Sequence, residues 1–505
     1  MQEGICVYIS EYLTQFYYYP VIGAAIVAAL FVAIQVIMNW IFKIFGVDNN
    51  LYPLSFLPSL FLWYKMCDPN YMLCFDVAIL INILLFASTY KLDDKIGRQI
   101  IPIFLSLILY WITGPAAIIV ALLFAVRNYK KYKYAVLIPL PLLIIEALIF
   151  SNFVYFPLKC FFWGFNYLRT PLEDNLHIIA LILLALLPWI ASMWKKEIST
   201  QKSYIISSIL LVSTAIIIPI SANTIVWKTI KMYNLIYNKN WDGAIAFFDK
   251  NQIYSLPSIQ SMNLALANKG ILTEKMFHYN QPTSEALVSD NATNNYLTLV
   301  NCEIFYSLGA FNISQRYAFE SQENLLRHSS KISLRLAQTA IINGEYPVAR
   351  KYLMNLAKTK FYKETAKNYL KILNDEKNVQ NYPEFAQAQQ IKLETDGTQS
   401  DLETEFIFEN LLKKNRNNKI ALQYLQAHSL LNLDAQKLYE SINKYTTSDI
   451  LPRHIQEALV LYYHNKNKTL NNIPKYISQD VVNAFKIKNF DNTFWKYVIS
   501  VNNAK

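Results

Sequence analysis

Residues 21–42, VIGAAIVAALFVAIQVIMNWIF, run for 22 positions without a charged side chain. About 20 such residues in a helix cross the hydrocarbon core of a bilayer. A helix that is apolar on every side must be enclosed by protein or by lipid. Residues 71–90, 134–152, 176–194 and 204–225 repeat the pattern, and 51–65, opening LYPLSFLP, reads as a short or broken span. Charge follows the same division. Residues 1–225 hold 14 of the chain's 47 Lys and Arg and 11 of its 36 Asp and Glu. The chain is 16% charged overall, against about 25% for soluble proteins, and the deficit lies in the first half. We therefore read residues 1–225 as a polytopic transmembrane bundle of seven or eight embedded helices, followed by a water-soluble half, 226–505.

Residues 100–127 contain Gly114-Pro115 at their centre. Proline removes a backbone donor and clashes with the preceding turn, so the sequence predicts two short helices meeting there rather than one long span. Basic residues in short loops mark the cytoplasmic side. The stretch 127–133 carries Arg127, Lys130, Lys131 and Lys133, and 195–202 carries Lys195, Lys196 and Lys202. Two spans separate these stretches, so they share a side. The loop 153–175 and everything after 225 then face outward, which in a Gram-negative cell is the periplasm. The helix pair also places residues 1–19 outside. That segment has no basic n-region and carries Glu3 and Glu11, so it reads as an aromatic-rich interfacial helix and not a cleavable signal peptide.

Two acids fall inside apolar runs: Asp76 in YMLCFDVAILINILLF and Glu146 in AVLIPLPLLIIEALIF. A carboxylate in hydrocarbon is expensive, so each is expected to face the bundle interior, a partner or water. The outer stretch SNFVYFPLKCFFWGFNYLRTPLEDN is dense in rings that favour the headgroup level. Trp163, Tyr167 and Arg169 are its candidate lipid-facing residues, with Arg169 suited to an anionic headgroup.

From about 226 onward, apolar residues recur at three and four spacing between short polar turns, the mark of amphipathic helices. The clearest unit is 332–373. Leu334, Ala337 and Ala340 line one helix, Gly344 and Tyr346 mark the turn, and Ala349, Tyr352 and Leu353 line the next. Small residues admit a close helix pair and large ones fill the adjoining groove, as in the tetratricopeptide repeat. Trp241 with Ala244, and Asn432 with Ala435, occupy the same places in 233–251 and 424–442. The fold class expected is all-α: a membrane bundle and then a tetratricopeptide-like α-solenoid, joined without a flexible linker. Residues 280–296 and 394–405 read as loops.

No phosphate-binding glycine loop, HExxH, CxxC or nucleophile elbow occurs, so no catalytic motif or cofactor is indicated. Five scattered cysteines and six scattered histidines give no metal-ligand spacing. His454 and His464 share a helix face but lack further ligands, and His177 opens a span. The soluble half is +8 over its length with lysines spread among acids, which argues against nucleic acid as a partner. Membrane lipids and a protein of the cell envelope are the partners expected.

The chain resembles a family of multipass inner-membrane proteins of Bacteroidota with a C-terminal tetratricopeptide-like region. The resemblance is carried by YISEYLTQFYYYPVIGA (8–24), TGPAAIIVALLFAVRNYKK (113–131), NLALANKGILTEKMFHY (263–279) and NNKIALQYLQAHSLLNLDAQKLYESI (417–442). It implies an envelope location and no established activity; members of the family carry one further apolar helix before the first of these segments, and this chain, starting MQEGICVYISEY, is expected to lack it. The leading functional expectation is a membrane-anchored scaffold, because solenoids bind partners along their surfaces. The alternative is a polytopic glycosyltransferase using a lipid-linked sugar, with Glu11, Glu173 and Asp174 as candidate acids and the aromatic loop 154–168 as lipid seat. A transporter, resting on Glu146, is third.

Overall fold

A computed structural model describes residues 4–69, 71–90, 97–132, 137–154, 157–164, 177–194, 198–289, 295–324, 329–374, 376–393, 404–446, 450–467, 474–488 and 490–503. Among them every regular element is helical. The chain divides into two compact units, Met1–Asn223 and Thr224–Lys505.

The first unit contains α1 (Gly4–Thr14), α2 (Pro20–Ile44), α3 (Leu57–Met66), α4 (Leu73–Thr89), α5 (Gly97–Thr113), α6 (Ile118–Tyr132), α7 (Pro139–Ser151), α8 (Leu158–Trp163), α9 (His177–Ser192) and α10 (Thr200–Ser221). Three segments are long and apolar enough to cross a membrane: Pro20–Ile44, Phe104–Tyr129 and Thr200–Ser221. Their outward faces include many apolar side chains, among them Val32 and Val36 of α2 and Ile205, Ile209 and Ile216 of α10. The apolar runs at 71–90, 134–152 and 176–194 form shorter helices of 17, 13 and 16 residues. At 1.5 Å per residue these reach about 20–26 Å, short of a hydrocarbon core of about 30 Å. The region 51–65 is a 3₁₀ turn, Asn49–Phe56, running into α3, with Pro53 and Pro58 breaking the ladder. The N-terminal helix α1 buries Cys6 and Ser10 against α4 and α5, and leaves Ile5, Tyr8 and Tyr12 exposed.

The second long segment is interrupted. A 3₁₀ turn, Gly114–Ala117, parts α5 from α6. Gly114 has φ +60, a conformation that glycine alone adopts without a Cβ penalty. Thr113 sits level with the middle of α4, where its Oγ1 accepts from Asn82 Nδ2 at 2.9 Å. At the far end, Arg127 Nε donates to the Ile44 carbonyl at 3.1 Å, and the guanidinium lies over the rings of Phe45 and Tyr90. An unbroken helix laid along α4 would hold Gly97 and Tyr90 about 36 Å apart, yet seven residues reach at most about 25 Å. The segment therefore bends at Gly114, and Arg127 returns to the end where α2 and α4 finish.

That end also receives the start of α10. Thr200 Oγ1 donates to Asn50 Oδ1 at 3.4 Å and Ser207 Oγ to Tyr52 Oη at 3.1 Å, both just past α2. Ile218, near the other end of α10, accepts from the Cys67 thiol beyond α3. Lys43, Arg127 and Lys202 thus gather at one end of the unit, and α10 finishes at the other.

The second unit begins with α11 (Thr224–Tyr237), α12 (Trp241–Asn251), α13 (Leu256–Asn268), α14 (Leu272–Lys275), α15 (Asn295–Leu308), α16 (Phe311–Asn324), α17 (Ser330–Asn343) and α18 (Tyr346–Leu356). It continues through α19 (Lys363–Ile372), α20 (Pro383–Ile391), α21 (Thr404–Lys414), α22 (Lys419–Leu431), α23 (Ala435–Tyr445), α24 (Arg453–Asn467), α25 (Gln479–Lys486) and α26 (Phe494–Asn503). Side chains of Asn240, Asn418 and Asp434 accept from the backbone N–H three residues on, capping α12, α22 and α23. Gly344, at φ +83, ends α17 in the left-handed conformation and turns the chain into α18. Ala337, Ala340, Ala349 and Leu353 of that hairpin are fully buried together.

Helices α15 to α19 pack each on the next, as stacked hairpins do. The C-terminal helices then come back: α22 packs on α13, α14 and α15. Gln423 fixes this return, donating to the Ala267 carbonyl and accepting from Leu272 N–H, while Asn418 donates to the Leu308 carbonyl. In a linear solenoid each repeat touches only its neighbours; here the chain closes over its own first hairpins. The expected loop at 280–296 is, in its described part, built into the core. Gln260, Asn263 and Asn301 donate to the carbonyls of Glu285, Ala286 and Ser289, and Ala286, Leu287 and Val288 are buried.

Candidate functional site

Of the two acids in apolar runs, Asp76 is the more deeply buried. It lies in the first turn of α4 with no exposure, and its Oδ1 accepts from Tyr71 Oη at 2.8 Å. Its Oδ2 is buried without a hydrogen bond, as is Asn82 Oδ1 two turns along. Glu146 stands on α7, half-buried between Leu143 and Ala147 of the core and the outward Ile145 and Ile149. Its Oε2 is also buried without a hydrogen bond. Glu11 is exposed on α1. Trp163 closes α8 and is about half exposed, and Phe161 beside it accepts from Tyr110 Oη at 2.8 Å. Tyr167, Arg169, Glu173 and Asp174 lie outside the described residues. No group of three or more potential metal ligands occurs among the described residues.

His454 and His464 of the second unit pack against other side chains. His454 is fully buried, and its Nδ1 lies 2.9 Å from Glu457 Oε2 while Nε2 accepts from Phe277 N–H at 3.4 Å. The same Glu457 oxygen accepts from Phe494 N–H, and its carbonyl accepts from Trp495 Nε1. These bonds tie the segment after α14 to α24 and α26. His464 packs edge-on against Phe485 instead.

Two arrangements were not anticipated. The first joins α11, α15 and α17 inside the second unit. Arg335 clasps Glu303 with two parallel bonds, Nε to Oε1 at 3.2 Å and Nη2 to Oε2 at 2.6 Å, and both side chains are about 95% buried. Its third donor meets Gln338 Oε1 at 2.9 Å, and its plane lies 3.6 Å over the Tyr306 ring, with Tyr237 behind. One turn back, Lys331 reaches Asn234 Oδ1 and stands over Tyr237. Burial pushes the Tyr237 and Tyr306 phenols up and the Lys331 ammonium down. The signal was legible: Glu303 sits in the apolar run YLTLVNCEIFYSL, as Asp76 sits in its own.

The second arrangement is an open cleft of about 370 Å³ between the C-terminal end of α12 and the segment after α14. Asp249, Gln252 and Tyr254 form one wall and Lys275, His278 and Tyr279 the other. Tyr279 Oη donates to Asp249 Oδ1 at 2.9 Å, and Tyr254 Oη donates to Gln252 Oε1 at 3.0 Å. Burial, and then the bond to Asp249, push the Tyr279 phenol up, so it stays a donor.

The chain matches a family of unknown function, DUF6057, over residues 2–499, and belongs to it. The match runs through both units. No curated protein and no solved structure matches the chain.

Proposed function

We propose that this is an integral inner-membrane protein that presents its second unit in the periplasm as a tetratricopeptide-like scaffold for a partner of the cell envelope. The observation that carries the reading is the polarity of the first unit. Lys43, Arg127 and Lys202 gather at the end where α10 begins, and basic residues flanking spans face the cytoplasm. Helix α10 is long enough to cross once, and only Ala222 and Asn223 separate it from α11. The chain thus passes from an outward end straight into helical hairpins, the kind of unit that binds partners along its surface.

The reading is tested in two steps. Alkaline phosphatase fused after residue 503 should be active, and green fluorescent protein at the same place dark; the reverse pattern rejects the orientation. Crosslinking in native membranes, followed by capture of the full chain, should then recover the same envelope protein in independent preparations. Its absence from every preparation rejects the scaffold.

A further inference from the structure

We infer that the cleft between α12 and the segment after α14 is a binding site for an uncharged saccharide. It would add a ligand to the scaffold proposed above without depending on that proposal, because the cleft belongs wholly to the second unit. A sugar ring offers two chemistries at once, a face of C–H bonds and a rim of hydroxyls that both donate and accept. A site for it needs flat apolar surfaces beside amides and carboxylates, and this cleft supplies both.

The flat surfaces are Tyr254 and Tyr279, and each is fixed before any ligand arrives. Tyr254 is 66% exposed, yet its hydroxyl is tied to Gln252 at 3.0 Å. Gln252 itself holds φ +48 at the end of α12, a left-handed conformation that costs a non-glycine residue about 1–2 kcal/mol. Such strain marks positions that the surrounding structure over-determines. Tyr279 is braced by Phe248, edge-on at 5.5 Å, and by the bond from its hydroxyl to Asp249. Rings held this way lose little freedom on binding.

The polar rim fits a polyol. Asp249 has a second oxygen free to accept from adjacent hydroxyls, and the Gln252 and Asn280 amides can both donate and accept. Asp249 and Lys275 cancel in fixed charge, so the walls favour no ion. The His278 Nδ1 is engaged by the Lys275 carbonyl at 3.1 Å, and the ring keeps Nε2 as a second polar group. The volume of about 370 Å³ is at the small end of ligand sites, which run to about 1,000 Å³. That suits one or two sugar rings.

The test uses the full chain in detergent, titrated calorimetrically with cellobiose, maltose and chitobiose, and with trialanine as a zwitterionic peptide. At least one disaccharide should bind. Tyr254→Ala should weaken it about tenfold, the loss of one ring contact, while Tyr254→Phe stays within about threefold. Because Tyr254 is mostly solvent-facing, an unchanged thermal midpoint separates lost binding from lost folding. Failure of all three disaccharides to bind, binding that ignores Tyr254→Ala, or binding of trialanine in their place overturns the assignment.

Discussion

The two units bury polar groups differently. In the first, Thr113, Ser207 and Asn82 each bond back to a carbonyl of their own helix, at Leu109, Ser203 and Ala78, beside the bonds that join Asn82 to Thr113 and Ser207 to Tyr52. In the second, amides reach across helices, as Gln423, Asn263, Asn301 and Asn418 do. The surfaces differ in the same sense. Only 11% of the apolar window of α10 is buried within the protein, whereas α13 of the second unit is buried along almost its whole length. Lipid can cover an apolar helix but cannot bond to a polar group, so a membrane unit keeps its polar groups local. A unit standing in water gains its uniqueness from polar brackets inside an apolar core. The buried acids mark the contrast. Glu303 is clasped by Arg335, while Asp76 has one bond, from Tyr71, and a bare second oxygen.

The largest effect should come from cutting that clasp. Arg335→Ala leaves Glu303 buried and unpaired, a loss of about 3–5 kcal/mol. The double substitution Arg335→Met with Glu303→Leu removes both charges and should recover much of that loss. Denaturant unfolding of the full chain in detergent reads both. If Arg335→Ala is as stable as the parent, the clasp does not hold α15 to α17.

A lysine on the outward face of α10 is the matching test of the first unit. Ile209 is 60% exposed at the middle of α10. On a membrane helix, Ile209→Lys should raise the insertion cost by about 3 kcal/mol and leave a fraction of chains unintegrated in an alkaline carbonate extraction. On a protein face exposed to water, the same change would pass without effect.

The contrast was legible in part. The division of apolar runs locates the boundary near 225 because transfer into lipid and burial in a core demand different lengths of uncharged chain. The turn at Gly114 was legible too, since glycine and proline act locally. What escaped was long-range. Nothing in ALQYLQAHSLL shows that Gln423 will bracket Ala267 and Leu272 about 150 positions earlier, so a chain with local hairpin signals reads as a linear solenoid. The segment 280–289 is a loop, with one short 3₁₀ turn at Ser284–Ala286, but its burial escaped for the same reason. Its composition is polar and turn-rich, yet the cross-helix amides satisfy its backbone and let Ala286, Leu287 and Val288 enter the core. The clasp was missed because it is assembled from three separated stretches of chain, and the cleft because it forms only where two stretches meet.

The return of α22 supplies the next test. Gln423→Leu keeps the volume but strands the buried Leu272 N–H and leaves the Ala267 carbonyl with the Gly270 N–H alone, at a loss of about 1–3 kcal/mol. Amide exchange should quicken in α13, α14 and α22, and leave α17 and α18 unchanged. Equal acceleration throughout would mean that the unit has no separable return. Gly344→Ala should cost slightly less, about 1–2 kcal/mol, because its φ of +83 is strained for any side chain while the space around it is open. Its effect should be confined to the α17–α18 hairpin.

The smallest effect is a dependence on pH within the second unit. Cys302 is fully buried in α15 beside Glu303, and burial first, with that carboxylate next, pushes its thiol up to about 12. An unfolded cysteine ionises near about 8.5. The folded form therefore keeps a proton that the unfolded form gives up. The resulting stability is complete below about 8.5 and is lost as the pH climbs toward the folded value, by at most about 1.4 kcal/mol per pH unit. Between about pH 8 and 9, where the tyrosines of the unfolded chain, which ionise at about 10, still hold their protons for the most part, the denaturant midpoint of the second unit should fall, and Cys302→Ala should reduce the slope. Iodoacetamide should modify Cys302 only in step with unfolding, as peptide mapping can follow residue by residue. A slope that survives Cys302→Ala would assign the loss to other groups and remove the thiol from the account of the clasp.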